Sequence, residues 1–459
     1  MKEMKKLFSK QIFCICLAFL SLSCVYANNK SIQPWKKNQH YWQYNGKPVL
    51  LIGGTNNDNL FQQKNLKGHL DSLTECGGNY VRNTMSDRDI SDCNLRAFEK
   101  AGNKYDLMKW NPGYWERFEN LLKWSKQRGI IVQIEVWDRF DHSQKGWETD
   151  PYNPKNNVNY TYEQTRLRPD YPHHPGANEQ PFFFTVPELD NNKILLKFQQ
   201  RFVDKMLSIS LKYKNVLYCM DNETNGNEKW GQYWAKYITG KAGNKKVFVT
   251  EMWDNWNVGS SIKKTYNNPD IYNFIDISQN SHQRGYGNWE NAQQIFSIIN
   301  GRPCPVNSVK IYGSKTRNQG VNDQDAISNF FKNLMGGFAS SRFHRPPAGL
   351  GLSDKSMACM SLIRKIEDKV KFWDMEPVMN LLKNPTRGDS YITKSKKGSY
   401  LLYITDRNSV QLNLNKNKSY NIQWIGLESE NWRKKQSFKG TEEIIPPFKE
   451  HSFAIITEE

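Results

Sequence analysis

Residues 219–226, CMDNETNG, close a short apolar run and set Asp221, Asn222 and Glu223 side by side. Two other apolar runs end in the same way: IIVQIEVWD gives Glu135, Trp137 and Asp138, and FVTEMWD gives Glu251, Trp253 and Asp254. Carboxyls gathered with indoles suit glycosidic bond cleavage, in which one carboxyl protonates the leaving oxygen while another acts as nucleophile or activates water. Each carboxylate taken alone reads equally well as a loop ion-pair partner. Arg82, Asn83, His282, Lys310 and Tyr312 end further runs and complete the candidate set for binding substrate. No metal or cofactor is expected: His173 and His174 lack spaced acidic partners, and Asp87, Asp89 and Asp92 lack the glycine and terminal glutamate of a calcium loop. Neither a phosphate-binding glycine loop nor a serine nucleophile elbow occurs.

These residues share a pocket only if the runs that carry them are parallel strands ending on one face. VLLIGGT, YVRNTM, IIVQIEVWD, NVLYCMD, KVFVTEM, NFIDISQ, VNSVKIY and GFASSRF alternate with longer amphipathic stretches. That pattern predicts an α/β fold, a (β/α)8 TIM barrel, with functional groups at the carboxyl ends of its strands. Leu195, Phe198, Phe202, Met206 and Ile209 recur at helical spacing, as do Ile327, Phe330, Phe331 and Leu334; both are core stripes without functional content. Residues 141–189 form a long insertion after the third strand, read either as a functional loop or as a surface excursion. Past FWDMEPVMNLL the helical pattern stops, and SYLLYITD, SVQLNLN, YNIQWIG and SFAIITEE predict a small C-terminal antiparallel β-sandwich. The expected organisation is an export signal over 1–27, a catalytic barrel over 28–384 and the sandwich over 385–459.

The lysine-rich start, the apolar stretch from Ile12 to Leu22 and the small-residue exit have the layout of a bacterial export signal. Cleavage after Ala27 competes with a lipid anchor at Cys24, so the protein is expected in the periplasm or at the cell surface. Loss of residues 1–27 removes four lysines and one glutamate and turns the net charge of +18 into +15. A basic exported chain leaves two readings, a lysine-rich solubilising surface or an acidic polysaccharide partner; nucleic acid is not expected outside the cytoplasm. Aromatic residues make up 13% of the chain, which favours surfaces that stack on sugar rings. Cys76, Cys93, Cys219, Cys304 and Cys359, scattered and odd in number, predict neither a disulfide framework nor a zinc site. A monomer is expected.

The Asn222-Glu223 pair ending the fourth run, with GGNYVR leading to Arg82 on the second, resembles the large clan of (β/α)8 glycoside hydrolases. Within it, WQYNGKPVLLIGGT, FWDMEPVMNLL and the closing PPFKEHSFAIITEE resemble the apiosidase-like glycosidases, whose C-terminal β-domain is described as collagen-binding. The resemblance implies that Glu223 is the general acid/base, Asn222 its sugar-contacting neighbour, Arg82 a supporting arginine and His282 a pocket residue. It also implies a nucleophilic glutamate at the end of the seventh strand, where CPVNSVKIYGS has Lys310. Lys310 either binds an anionic sugar or pairs with a nearby carboxylate. Glu251, one strand from Glu223, is the expected second carboxylate of an inverting pair, which needs a gap of roughly 6.5–9.5 Å; Asp138 and Glu135 compete with it. Without a second carboxylate, the chain reads as a non-catalytic glycan-binding protein, and a lyase using Lys310 with His282 or Tyr312 is the remote third reading.

Overall fold

The computed structural model describes residues 30–85, 93–313, 322–383, 389–440 and 442–459. The export signal with Cys24, and Asp87, Asp89 and Asp92, lie outside them. Eight strand-helix units follow one another among the described residues: β4 (Leu51–Gly54) and α1 (Leu66–Glu75); β5 (Tyr80–Thr84) and α2 (Pro112–Gln127); β8 (Ile131–Asp138) and α3 (Lys193–Ser210); β9 (Val216–Asn222) and α4 (Glu228–Ala242); β10 (Val249–Thr250) and α5 (Val258–Tyr266); β11 (Ile275–Asp276) and α6 (Gly285–Ile299); β12 (Val306–Asn307) and α7 (Asp323–Met335); β13 (Ser340–Phe343) and α8 (Asp354–Glu367). Asparagine side chains cap the amino ends of α1 to α5 and α7, each accepting a backbone N–H left without a partner in the first turn. They explain why so many helices start directly behind an asparagine.

The strands are parallel but do not form one continuous ladder. β5, β8, β9 and β10 make one arc, β11 and β12 a second, and β13 and β4 a third. Backbone hydrogen bonds bridge the gaps: Asn79 to Ile52 (2.9 Å), Asn273 to Val249 (3.0 Å) and Ala339 to Val306 (2.9 Å). Each strand thus has a neighbour on both sides. Three strands not anticipated from the sequence, β1 (Gln33–Trp35), β2 (Asn38–Tyr44) and β3 (Lys47–Val49), form an antiparallel meander before β4. It inserts the buried Trp42, whose indole N–H donates to Asn307 of β12 at 2.9 Å, beside Phe248 and Phe274. A hairpin, β6 (Phe98–Ala101) and β7 (Lys104–Trp110), fills the connection from β5 to α2. Residues 141–189 are packed, burying Trp147, Tyr171, Phe182 and Phe183.

The C-terminal region holds a six-stranded antiparallel sheet in the order β14 (Met375–Pro377), β16 (Ser390–Ser395), β17 (Tyr400–Ile404), β22 (Ser452–Glu458), β19 (Ser419–Gly426), β20 (Gln436–Lys439). A three-stranded sheet, β15 (Leu382–Lys383), β18 (Val410–Leu412) and β21 (Glu443–Ile444), covers one of its faces. The two-residue period of a strand sorts the side chains. Leu402, Ile404, Ile422, Trp424, Ala454 and Ile456 face the small sheet. Leu401, Tyr403, Ile425, Phe453 and Ile455 join the core of the strand-helix units. Phe331 of α7 meets Phe453 and Tyr403 at ring distances of 5.0 and 5.5 Å, and Trp289 of α6 meets Tyr391 at 4.7 Å. No helix among the described residues is long and apolar enough to cross a membrane.

Candidate active site

At the carboxyl ends of the strands a buried polar network is built around Arg82 of β5. Its guanidinium donates to Glu135 at 2.6 Å, to Asp58 at 2.5 Å and to Asn222 at 3.1 Å. Burial works against the charge of Arg82, but the carboxylates of Asp58 and Glu135 outweigh it and hold the proton. Burial pushes the Glu135 carboxyl up to about 7 despite Arg82 and Lys310, and its Oε1 is buried without a partner. Asp58 also accepts from Arg345 at 2.8 Å, and the His344 ring lies 3.4 Å from Arg82. Asn222 turns its amide so that Oδ1 accepts from Arg82 and Lys310, while Nδ2 donates to Asp138 at 2.7 Å.

Glu223 stands above this network, one residue past β9, with φ of +57°. A glutamate in the left-handed region is strained, and such strain persists where surrounding contacts fix it. Here the neighbouring strand ends differ in length: β9 and β10 pair at Cys219 with Thr250 and again at Thr224 with Trp253, so β9 carries two more residues over the interval. The surplus pushes the Glu223 side chain out of the ladder towards Lys310 (2.8 Å), Tyr312 (2.6 Å) and Gln279 (3.0 Å), all on Oε1. Burial opposes its charge, yet the Lys310 ammonium and the Tyr312 hydroxyl prevail and hold the carboxyl well below the usual carboxylate range. Glu223 is therefore an anion at neutral pH. An anionic carboxylate can act as a base or nucleophile, and the general acid/base role implied by the sequence resemblance includes the first of these. Lys310, at the seventh strand, is the partner of Glu223 and Asn222 and is itself buried.

The other sequence candidates divide by the face of the strand they occupy. Arg82, Glu135, Asn222, Lys310 and Tyr312 converge on the cluster; Asp138 reaches it through Asn222, and His282 stacks on Tyr312 at 4.4 Å. Glu251 does not join them. Its Oε1 accepts the backbone N–H groups of Asp221 (2.9 Å) and Met252 (3.2 Å), and its Oε2 faces α4, where a Cβ on Gly231 would come within 2.1 Å. Burial, then repulsion from Asp221, raises its carboxyl well above the ordinary value. Among the described residues Glu251 and Glu223 share no hydrogen-bond partner, and Glu251 is a carboxyl packed between strand and helix. Asn83 is held by the Phe61 N–H and the Thr84 carbonyl. Trp137 lies among Phe182, Phe202, Trp230 and Trp234 and lines a cavity beside Asp138, and Trp253 is buried with its N–H on Thr265 at 2.9 Å.

Two residues of the cluster were not singled out for a role from the sequence. Asp58 lies four residues past β4 in an irregular segment, and no spacing marks it. Asp254 follows Trp253 and is half-buried; burial, then repulsion from Glu223, raises its carboxyl. Among the described residues no group of His, Cys, Asp and Glu side chains is arranged to hold a metal ion.

No family model matches the chain, and no curated protein matches it. Solved structures do. A glycoside hydrolase family 5 protein from Bacteroides vulgatus ATCC 8482 superposes with a TM-score of 0.62 at 13% identity, over 94% of each chain. A second structure, named glycoside hydrolase, gives a TM-score of 0.62 at 12% identity, over 93% of this chain and 97% of its own. At these identities the likeness is one of fold, and it extends over the strand-helix units and the β-rich C-terminal region together.

Proposed function

We propose that this chain is a (β/α)8-barrel glycoside hydrolase that cleaves a glycosidic bond in a plant or host polysaccharide or its fragments, and that it is exported. The setting of Glu223 carries this reading: a strained carboxylate at the end of the fourth strand, aimed out of the ladder and fixed by Tyr312, Gln279 and Lys310 above a buried Arg82 network. Glu223 and Asp254 are displaced in opposite directions, the first below the usual carboxylate range by Lys310 and Tyr312, the second upward by burial and by repulsion from Glu223. Two carboxyls whose surroundings separate them in this way are suited to divide the work of base or nucleophile and proton donor. Asp254 then protonates the leaving oxygen, Glu223 acts on the anomeric carbon or on a water, and Asn222 is placed for a sugar hydroxyl.

Release of reducing sugar from a panel of plant and host polysaccharides tests the proposal. The parent protein is expected to hydrolyse at least one of them, and Glu223→Gln to lower the rate by roughly 100- to 10,000-fold while keeping the fold. Asp254→Asn should lower it less for substrates with good leaving groups than for poor ones. Unchanged turnover in Glu223→Gln would remove this carboxylate from the mechanism.

A second reading rests on one contact. The ion pair of Lys310 with Glu223 stands where the resemblance places the second catalytic carboxylate, which favours a glycan-binding protein built on a glycosidase fold. Lys310→Met separates the two. In a hydrolase it lets the Glu223 carboxyl titrate nearer its ordinary value, so the acidic limb of the rate profile moves to higher pH. A binding protein shows no rate with either residue at 310 and retains glycan affinity.

A further inference from the structure

Trp256 lies three residues beyond the buried Trp253, and it is 60% exposed, a large apolar ring left in solvent. It is not on a loose loop. The Asn255 side chain accepts the Asn257 N–H at 2.8 Å, and the Asn257 side chain in turn caps α5 by accepting the Ser260 N–H at 3.0 Å. The indole is therefore displayed on a turn fixed at both sides. One of its faces lies against His282, with ring centres 5.5 Å apart and planes 6° from parallel. His282 stacks in turn on Tyr312, at 4.4 Å and 22°, and the Tyr312 hydroxyl donates to Glu223 at 2.6 Å. Three rings thus form a ladder from Glu223 to solvent, and among the described residues no ring covers the outer face of the last.

We infer that Trp256 is a binding platform for a pyranose ring of the glycan chain, at a position beyond the sugar held at Glu223. The inference rests on the glycan reading of the site above. A pyranose presents several C–H groups on one face, and these pack against the electron-rich face of an indole while the hydroxyls at the rim stay in water. The ladder also gives the platform a fixed place relative to Glu223, because His282 spaces Trp256 from Tyr312. Sugars with an unbroken C–H face dock there, whereas an axial hydroxyl on that face holds the ring away. Affinity for chains longer than a disaccharide follows from the platform, and the acids at the strand ends do not supply it.

Isothermal titration of the Glu223→Gln protein, which blocks turnover, with cello-, manno- and xylotetraose and with tetragalacturonate tests this directly. At least one tetrasaccharide is expected to bind, and Trp256→Ala in the same background to weaken it roughly ten-fold, the scale of one aromatic stacking contact with its buried area. Trp256→Phe should recover part of the loss, and the matching disaccharide should lose less than the tetrasaccharide. Because the side chain is exposed, the variants should melt with the parent. Equal affinity with and without the indole overturns the inference, and so does a parent that binds none of the four at millimolar concentration. If Trp256→Ala weakens binding while wild-type protein releases no sugar from any of them, the platform stands and the hydrolase reading falls.

Discussion

The strand-end cluster and the seam between α7 and the six-stranded sheet are both largely buried, yet they are built from opposite materials. At the strand ends Arg82, Asp58, Glu135, Lys310 and Glu223 lie together, each requiring a charged or hydrogen-bonding neighbour to tolerate its burial. At the seam Phe331, Tyr403 and Phe453 fill the space with rings whose burial is favourable on its own. Desolvating several ions is costly, and apolar side chains of the same volume would serve the fold as well or better. The cluster is therefore costly to the fold, and the seam, with the core around it, supplies stability that offsets it.

The largest effect should come from unbalancing the cluster. Arg82→Met removes the guanidinium from between Asp58 and Glu135 and leaves two buried carboxyls facing each other. Losing one partner of a buried pair costs about 3–5 kcal/mol, and this site should lie at the upper end because both acids lose the same cation. Denaturant unfolding of the parent and the variant measures it. A loss of less than 1 kcal/mol would mean that the acids simply take up protons, and that the cluster is less charged than its geometry indicates.

Phe331→Ala tests the other region and should cost about 3 kcal/mol, the range for deleting a buried aromatic ring. The two variants should differ in kind. The Arg82 deficit should shrink as the pH falls and Asp58 and Glu135 are protonated, whereas the Phe331 deficit should be the same at every pH. A Phe331 variant as stable as the parent would show that the C-terminal region folds against the strand-helix units without contributing to their stability.

The same contrast explains what could be read from the sequence. Strands β4, β5, β8, β9 and β13, the helical stripes and the alternating C-terminal strands are periodic apolar patterns, and burial writes such patterns directly into a sequence. The meander β1–β3 was missed because its strands are short and its apolar residues serve one plug, Trp42, instead of an alternating face. At the site, Arg82, Asn222, Glu223, Lys310 and Tyr312 were legible as strand-end residues. Which face each occupies was not. Glu251 and Trp253 end a strand only two residues long, whose neighbour carries a two-residue surplus, and nothing in FVTEMWD signals that displacement. Asp254, in the same segment, is near enough to Glu223 to feel its charge, and Trp256, not Trp253, is the exposed indole there. Asp58 reaches Arg82 only through the tertiary fold.

The smallest effect sharpens the comparison, because it concerns a charged pair that lies among rings. His142, in the long insertion, is buried and stacked on Phe182 at 3.8 Å, with its Nδ1 2.5 Å from Asp150. Burial disfavours the charged ring, but Asp150, helped by Asp141 and Asp138, outweighs it and raises the pKa above the ordinary histidine value. A raised value in the folded state fixes the sign: the stabilisation is fully present below the unfolded value, near 6.5, and is lost as the pH rises through the folded one. Parent stability should thus carry a component that declines above neutral pH by at most about 1.4 kcal/mol per unit, the limit for a single proton. Asp150→Asn removes the acid that holds the proton, so His142 should become neutral near pH 7 and this slope should flatten, whatever the overall loss of stability. Unfolding midpoints from pH 6 to 9 for both proteins decide the matter. An identical slope in the two would mean that His142 is already neutral in the parent, and that its charge adds nothing to the rings packed around it.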